Sequence, residues 1–192
     1  MATENSFANR LHKSIGHLLE ERSPALSRAF LSAASSLATP FAAGMGLTVE
    51  RLDDLGCVAK MPDWWRNRDE NGGAHPAAVA TLAQFATRSY WDRHLDPRAT
   101  RVRLSRLDCR FPTPPTSGPA TGALQAEFAF ADDAREGVLF HLRGNGRVEA
   151  VCVAQVFDSA GRRVAEVEVE WEFTVVSLLG RPEAPAGEGQ QE

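Results

Sequence analysis

Hydrophobic positions recur with a helical period in some stretches of the chain and alternate with polar positions in others. Between 6 and 20 they return every three or four residues, which predicts an amphipathic helix, and the alanine-rich stretch 25–37 predicts a second one. From 77 to 91 ten of the fifteen side chains are apolar and leave almost no polar face, which predicts a buried helix. That helix should begin at His75-Pro76, because a first-turn proline lacks only an N–H that would have no helical partner.

Alternation of apolar and polar residues predicts strands on both sides of the buried helix. Two short runs, 47–52 and 56–61, precede it and flank an Asp-Asp turn. After it come four strand-like runs and one short helical stretch, at 102–111, 124–130, 132–142, 148–157 and 165–173. The parity of the apolar positions changes near Ser105-Arg106, which predicts a β-bulge. The last run is so regular that one face should pack while the other, which is glutamate-rich, meets water.

These elements together predict an α+β fold. Strands joined by turns favour an antiparallel sheet, and a helix that is apolar all round needs a sheet that curves around it. We therefore expect a curved antiparallel sheet wrapped around a long central helix, with an N-terminal helical extension. The expected boundaries are 1–39 for the extension, 40–178 for the main domain and 179–192 for a disordered tail rich in proline, alanine, glycine and glutamate.

Composition narrows the class of protein without identifying it. A length of 192 residues suits one domain, and a formal net charge of -4 disfavours nucleic acid as the main partner. No apolar run reaches the length of a membrane span, and the N-terminus lacks the apolar stretch of a signal peptide. Three widely spaced cysteines, Cys57, Cys109 and Cys152, are typical of buried reduced thiols. We expect a cytoplasmic protein that binds no metal, cofactor or membrane.

Three segments carry a resemblance to a known family. The stretch 40–47 resembles a lead-in to a first strand, and Asn71-Gly72-Gly73-Ala74-His75 resembles a Gly-x-x-His entry into a central helix. The stretch 147–173, with Asp158 and Gly161 in an Asp-x-x-Gly turn, resembles two closing strands. Over roughly 40–175 the chain is similar to the hotdog superfamily, particularly the phenylacetyl-CoA-type acyl thioesterases and their uncharacterised relatives.

This resemblance implies a fold, a function and an assembly. The implied fold is the hotdog fold, and the implied function is that of an acyl thioesterase-like protein acting on or binding an acyl-CoA or acyl-carrier-protein thioester. The implied assembly is a homodimer or a dimer of dimers with sites between subunits. The alternative is a non-hydrolytic acyl-thioester-binding or scaffold protein, or a hotdog lyase or cyclase of a biosynthetic pathway.

The chain departs from the family pattern at three working positions. Nine residues after the histidine the family carries a carboxylate, whereas this chain has Gln84. The family's Gly-Gly after the histidine supplies a backbone N–H to the thioester carbonyl, but here Pro76 has no N–H to give. The asparagine that commonly precedes the histidine by six residues is Asp69 here. A standard catalytic set is therefore not expected.

Three residues remain as catalytic candidates: His75, Gln84 and Asp69. Thioester hydrolysis needs a nucleophile at the carbonyl carbon and donors for the oxyanion. His75 could donate through its imidazole at the positive end of the helix, or it could only cap the helix. Gln84 can orient a water or a carbonyl but cannot accept a proton as a base, and it could equally be a structural amide. Asp69 could replace the missing base, or it could be a solvated loop carboxylate.

Further residues are candidates for contacting the substrate. They are Asn71, Gly72, Trp64, Trp65, Thr81 and Arg88. The two tryptophans could line an acyl or aryl pocket, or they could pin the loop to the core. Arg88 could meet a ligand anion or pair with Asp92, one turn later. Four arginines on one predicted strand, at 101, 103, 106 and 110, could meet coenzyme A phosphates or form a solvated face.

Overall fold

The computed structural model describes residues 40–112 and 122–176, which form one six-stranded sheet and three α-helices. In chain order the elements are α1 (Pro40–Met45), β1 (Thr48–Leu52), β2 (Gly56–Met61), a 3-10 turn (Trp65–Asn67), α2 (Pro76–His94), β3 (Thr100–Arg110), β4 (Leu124–Ala129), α3 (Asp132–Asn145), β5 (Arg147–Phe157) and β6 (Arg163–Val175). The expected extension 1–39 and tail 179–192 lie outside the described residues, so their boundaries remain predictions.

The sheet is antiparallel throughout, with strand order β1-β2-β4-β5-β6-β3. This confirms the predicted antiparallel arrangement. The pairing of β3 with β6 shifts between Leu104 and Arg106, so the bulge predicted near Ser105-Arg106 is also confirmed. Such a bulge bends a strand and increases its twist, which helps this long strand follow a curved sheet.

Strand β6 divides into a packed face and a polar face, as predicted. Its inner side chains are almost completely buried: Ala165, Val167, Val169, Trp171 and Phe173. The alternating glutamates lie on the outer face of the sheet, where they meet the polar side chains of β3. Each large apolar side chain removed from water contributes about 1.5–3 kcal/mol, so this strand and the helix above it supply much of the driving force for folding.

Helix α2 lies on the inner face of the sheet and is buried along most of its length. The two indole N–H groups of this layer have partners: Trp171 Nε1 donates to Thr87 Oγ1 at 3.1 Å, and Trp91 Nε1 donates to Cys152 Sγ at 3.2 Å. Buried tryptophans need such partners, because an unpaired donor would cost about 1–3 kcal/mol. The contacts fix how α2 is aligned on the sheet.

The other two helices differ in how well the sequence predicted them. Helix α3 confirms the helix expected from Asp132, although it continues to Asn145 and ends at Gly146 in the left-handed conformation. Helix α1 was not predicted, because Pro40 and two glycines disfavour a helix by local propensity. It forms because Ala42 and Met45 are buried in the core, which outweighs that propensity.

No helix within residues 40–112 and 122–176 has both the length and the apolar character that crossing a membrane requires.

Candidate functional site

The loop between β2 and α2 is anchored by Asn67, a residue that the sequence did not single out. Its side chain is 2% exposed, and Nδ2 donates to the carbonyl oxygens of Met45 and Pro62 at 3.0 Å each. Its own carbonyl oxygen accepts the N–H of His75 at 2.8 Å, so Asn67 fixes the start of α2 against α1. Its Oδ1 is buried without a hydrogen-bond partner in the described part of the chain. A hydrogen bond from a ligand or a water to this oxygen would offset the cost of burying it without a partner.

Asp69, Asn71 and Gly72 form one closed turn just before the helix. The carboxylate of Asp69 accepts the backbone N–H groups of Asn71 at 2.9 Å and Gly73 at 3.0 Å. Gly72 has φ +77, a left-handed conformation that favours glycine. One oxygen of Asp69 is therefore committed to shaping the turn. These three predicted site residues lie together in the turn that ends three residues before His75.

His75 is the N-cap of α2 and is exposed to solvent. Its Nδ1 accepts the backbone N–H of Ala77 at 3.1 Å. Because an imidazole nitrogen that accepts a hydrogen bond carries no proton, the ring proton is on Nε2. The two interpretations of His75 that the sequence left open are thus compatible: one nitrogen caps the helix while the other is a donor on the opposite edge of the ring.

The backbone at the start of α2 offers little to a bound carbonyl. Pro76 has no N–H, and the N–H of Ala77 is bound to the His75 ring. The N–H groups of Ala78 and Val79 both bond to the carbonyl oxygen of His75, at 2.8 and 3.1 Å. The imidazole of His75 is therefore the better placed donor at this helix end, where the helix dipole favours negative charge.

Gln84 lies on a different side of α2 from His75. Nine residues at 100° each place the two about 180° apart around the helix and about 13 Å apart along its axis. Gln84 belongs to the least buried stripe of α2, which we call the open stripe and which consists of Ala77, Thr81, Gln84, Arg88 and Asp92. Within one chain, Gln84 and His75 do not converge on a common point.

Thr81 and Arg88 extend the open stripe on either side of Gln84. The hydroxyl of Thr81 donates to the carbonyl oxygen of Ala77 at 2.8 Å, an internal helix bond. Arg88 Nε pairs with Asp92 at 2.9 Å, which confirms the predicted i,i+4 pair. The guanidinium of Arg88 also lies 5.8 Å from the centre of the Trp171 ring and reaches the carbonyl oxygen of Val102 on β3 at 3.4 Å.

The two loop tryptophans have different environments. A Cβ added to Gly46 would lie 2.5 Å from Trp64, so Trp64 packs closely on the turn after α1 while remaining 42% exposed. The Arg66 guanidinium lies 5.1 Å from the Trp64 ring centre. Trp65 is 82% exposed. Trp64 thus helps to pin the loop, and Trp65 presents a large aromatic surface to solvent.

Three arginines of β3 lie on the outer face of the sheet and meet the glutamates of β6: Arg103, Arg106 and Arg110. Arg103 forms an ion pair with Glu172, and Arg106 pairs with Glu168 at 3.5 Å. The hydrogen bond from Arg103 lowers the pKa of the Glu172 carboxyl below its ordinary value. Arg110 lies 3.8 Å from Glu166. These cross-strand pairs favour the interpretation of a charged outer face over a phosphate site.

Two of the cysteines are poorly suited to nucleophilic chemistry. Burial raises the pKa of the Cys57 thiol and that of the Cys152 thiol to about 12 each. A thiol with so high a pKa carries almost no thiolate at neutral pH. Cys109, on β3, is only half-buried. All three are free thiols, as expected from their number and spacing.

Solved structures with the same fold include several thioesterases. A Pseudomonas aeruginosa protein of unknown function, described as a probable thioesterase, is 19% identical with a TM-score of 0.68 over 77% of this chain and 95% of its own. A second P. aeruginosa thioesterase, solved as a mutant, is 15% identical with a TM-score of 0.61 over 78% and 94%. A Staphylococcus aureus thioesterase, also a mutant, is 12% identical with a TM-score of 0.55 over 71% and 99%. At these identities the similarity establishes the fold.

Sequence comparison identifies the family. No curated protein matches the chain. The model of a domain of unknown function, DUF4442, matches residues 27–173, which is most of the sequence. The sheet wrapped around α2 and its likeness to thioesterase structures establish the hotdog fold. This chain is therefore a hotdog protein that belongs to the DUF4442 family.

Proposed function

We propose that this protein binds an acyl-CoA or acyl-carrier-protein thioester and hydrolyses it, as a thioesterase with a non-standard site. The proposed catalytic residues are His75, Gln84 and Asp69. The proposed substrate contacts are Asn71, Gly72, Trp64, Trp65, Thr81 and Arg88. Its three free thiols, of which two are fully buried, fit a reducing compartment, so the proposed location is the cytoplasm.

The observation that carries this proposal is the hydrogen bond between Ala77 and His75. Because Nδ1 is occupied as an acceptor, Nε2 carries a proton that can be donated to a thioester carbonyl. A donor at a helix N-terminus is well suited to stabilise the negative charge that develops on that oxygen. The exposed position of His75 leaves room for a substrate.

The separation of Gln84 from His75 supports a homodimeric site. The two residues lie on opposite sides of α2, so one thioester carbonyl cannot contact both within a chain. A second copy can supply the missing half, with its open stripe facing the helix start of the first. A homodimer with two equivalent sites follows, since a two-fold axis makes every contact twice. A dimer of dimers is the larger assembly that this arrangement allows.

Hydrolysis in such a site needs a route for one proton. A water oxygen attacks the carbonyl carbon, the C–S bond breaks, and the proton lost by the water ends on the departing thiolate. Gln84 can orient this water but cannot take its proton. Asp69 is the carboxylate we propose as the acceptor, although one of its oxygens also holds the turn before α2.

A second candidate function is favoured by the backbone at the helix start. Pro76 has no N–H, the next three N–H groups are engaged, and position 84 is an amide. A site with one donor and no dedicated base is better equipped to hold a thioester than to cleave it. We therefore keep as the alternative a non-hydrolytic acyl-thioester-binding or scaffold protein, or a hotdog lyase or cyclase that does not need a water-activating carboxylate.

The deciding experiment combines turnover with binding. Purified protein is incubated with a panel of acyl-CoA and acyl-carrier-protein thioesters, thiol release is followed, and binding of carbonyl-containing thioether analogues is measured by calorimetry. The proposal expects both turnover and binding, each reduced in His75→Ala, and turnover reduced in Asp69→Asn. Tight binding without turnover would establish the alternative. Turnover that is unchanged in both variants would refute the site assignment.

A further inference from the structure

The inner face of the sheet is covered unevenly by α2. On β6 the inward side chains Val167, Val169 and Trp171 are almost completely buried. The neighbouring inward positions of β3, which pair with them, are only partly buried: Leu104, Leu107 and Cys109. Because β3 is an edge strand of the sheet, α2 leaves these apolar side chains only partly covered within one chain. We call the space between them and the open stripe the gap.

Two side-chain contacts show how the helix is aligned with the strands beneath it. Thr87 is hydrogen-bonded to Trp171, and the ring of Trp91 lies 4.8 Å from that of Phe173. Since Trp171 pairs with Leu104 and Phe173 pairs with Val102, α2 runs antiparallel to β3. Gln84, which lies one turn before Thr87, is therefore displaced from Leu104 in the direction of Leu107.

Arg88 closes this gap at one end. Its guanidinium spans from α2 to the carbonyl oxygen of Val102 on β3 and lies over the Trp171 ring. The ion pair with Asp92 at 2.9 Å holds the side chain in that direction and compensates its charge. These three contacts direct the guanidinium across the gap, while the side chain of Arg88 remains 39% exposed.

We propose that Arg88 is the end wall of the acyl pocket and restricts the substrate to short or compact acyl groups. This inference rests on the proposed function, because it assumes that a thioester carbonyl lies at Gln84. An acyl group that enters the gap there meets Arg88 after four residues of helix, a distance of roughly 6 Å. The apolar strand wall at Leu104 and Leu107 suits a hydrocarbon group of that length and excludes a long fatty acyl chain.

The test compares acyl length in wild-type protein and in two variants of the wall. Binding of S-(2-oxoalkyl)-CoA analogues of butyryl, hexanoyl and decanoyl length is measured by calorimetry, so that hydrolysis is not required. Wild-type protein should bind the butyryl-length analogue at least tenfold more tightly than the decanoyl-length one. Arg88→Ala should reduce this preference at least tenfold. Arg88→Met, which keeps the bulk and removes the charge, should retain most of it.

The opposite wall provides an independent variant. Leu107→Trp should narrow the gap and weaken binding of the hexanoyl-length analogue more than that of the butyryl-length one. Leu55 lies in the exposed turn between β1 and β2, at the opposite end of the sheet from β3. Leu55→Trp is therefore the control, and it should leave the binding of both analogues unchanged. Thermal melts show which variants are folded.

The possible failures are distinguishable. Equal binding of butyryl and decanoyl analogues by wild-type protein, or a preference that Arg88→Ala leaves unchanged, overturns the role of Arg88 while the proposed function stands. A loss of the length preference in Arg88→Ala that is accompanied by dissociation of the homodimer, seen by size-exclusion chromatography, also overturns it, because the effect then comes from the assembly. If no analogue binds at any length, both the inference and the proposed function fail.

Discussion

The backbone N–H of Ala77 donates a hydrogen bond of 3.1 Å to Nδ1 of His75. Through this contact His75 caps α2, and it leaves the proton of the neutral ring on Nε2, where it can be donated. A substitution that removes the side chain would abolish both roles together. Separating them requires a residue that caps a helix but cannot donate.

Aspartate at position 75 is such a residue. Asp is among the preferred N-cap residues and favours the positive helix end, so His75→Asp should keep the stability of wild-type protein. His75→Ala should lower the free energy of unfolding by about 1 kcal/mol. Both variants should lose at least about tenfold in kcat/KM for acyl thioesters. Denaturant unfolding and thiol release measure the two effects, and full activity in His75→Asp would contradict the donor role.

Gln84→Glu should convert the site towards base catalysis. If Gln84 lies beside the reacting carbonyl, a carboxylate there can take the proton of the attacking water, and general-base catalysis commonly contributes about a hundredfold or more. We therefore expect faster thioester hydrolysis, with a rate that rises with pH as the new carboxyl ionises. Gln84→Met is the control of similar size that should show no such gain. A rate no higher than that of wild type would place Gln84 away from the chemistry.

Gly46 should be intolerant of any side chain. Its φ of +72 is strained for other residues, and an added Cβ would lie 2.5 Å from Trp64. Gly46→Ala should thus lower the free energy of unfolding by more than about 1 kcal/mol and change tryptophan fluorescence as Trp64 is displaced. Gly44, two residues earlier within α1, has nothing within 4 Å of the equivalent position. Gly44→Ala should be neutral or slightly stabilising, and equal effects of the two would disprove this packing.

His94 should make the protein less stable in mild acid. Its ring packs on Tyr90, and its Nε2 is buried without a hydrogen-bond partner in the described residues. Burial, followed by the nearby charge of Arg135, lowers the pKa of His94 below its ordinary value of 6.5. The unfolded chain then binds the proton more readily, so stability is complete above about pH 7 and falls as the pH drops through 6.5.

His94→Phe tests this pH dependence, because it keeps an aromatic ring against Tyr90 and cannot titrate. The groups facing His94 include Asp54, Arg93, Arg135 and Glu136. The pKa of Asp54 is lowered by its hydrogen bond from Arg93, so this carboxylate stays charged over the relevant range. Between pH 7 and pH 5 the variant should lose less unfolding free energy than wild type. Parallel stability curves for the two proteins would show that His94 is not responsible.

Local patterns predicted the elements well because they depend on near neighbours. The alternation along β6 needs only a period of two, and the buried helix needs only an apolar composition over several turns. The position of the bulge near Ser105-Arg106 was visible because one extra residue inverts the parity of every apolar position after it. Helix α1 escaped prediction because its stability comes from the core contacts of Ala42 and Met45, not from its own sequence.

The candidate site was predictable only in part. His75 stood out by its place before Pro76. Which of its ring nitrogens accepts a hydrogen bond and which carries the proton depended on the geometry of the helix start. Asn67 was missed, because a single asparagine in a polar loop looks solvated. Its two acceptors include the carbonyl of Met45, 22 residues away, which only the folded chain brings near. Likewise, Arg103 and Arg110 of β3 have glutamate partners that lie more than fifty residues away in the sequence.

The sequence by itself determined the period of each element, the burial of the central helix, and the amino acids available for chemistry at positions 69, 75 and 84. Those properties follow from residue type and local spacing, which do not change on folding. Only the tertiary structure decided that Asn67 is anchored to the carbonyl of Met45, that Arg106 meets Glu168 across two strands, and that Arg88 reaches the carbonyl of Val102 on β3. These are distances between groups, and they exist only once the chain has packed its helix against the sheet.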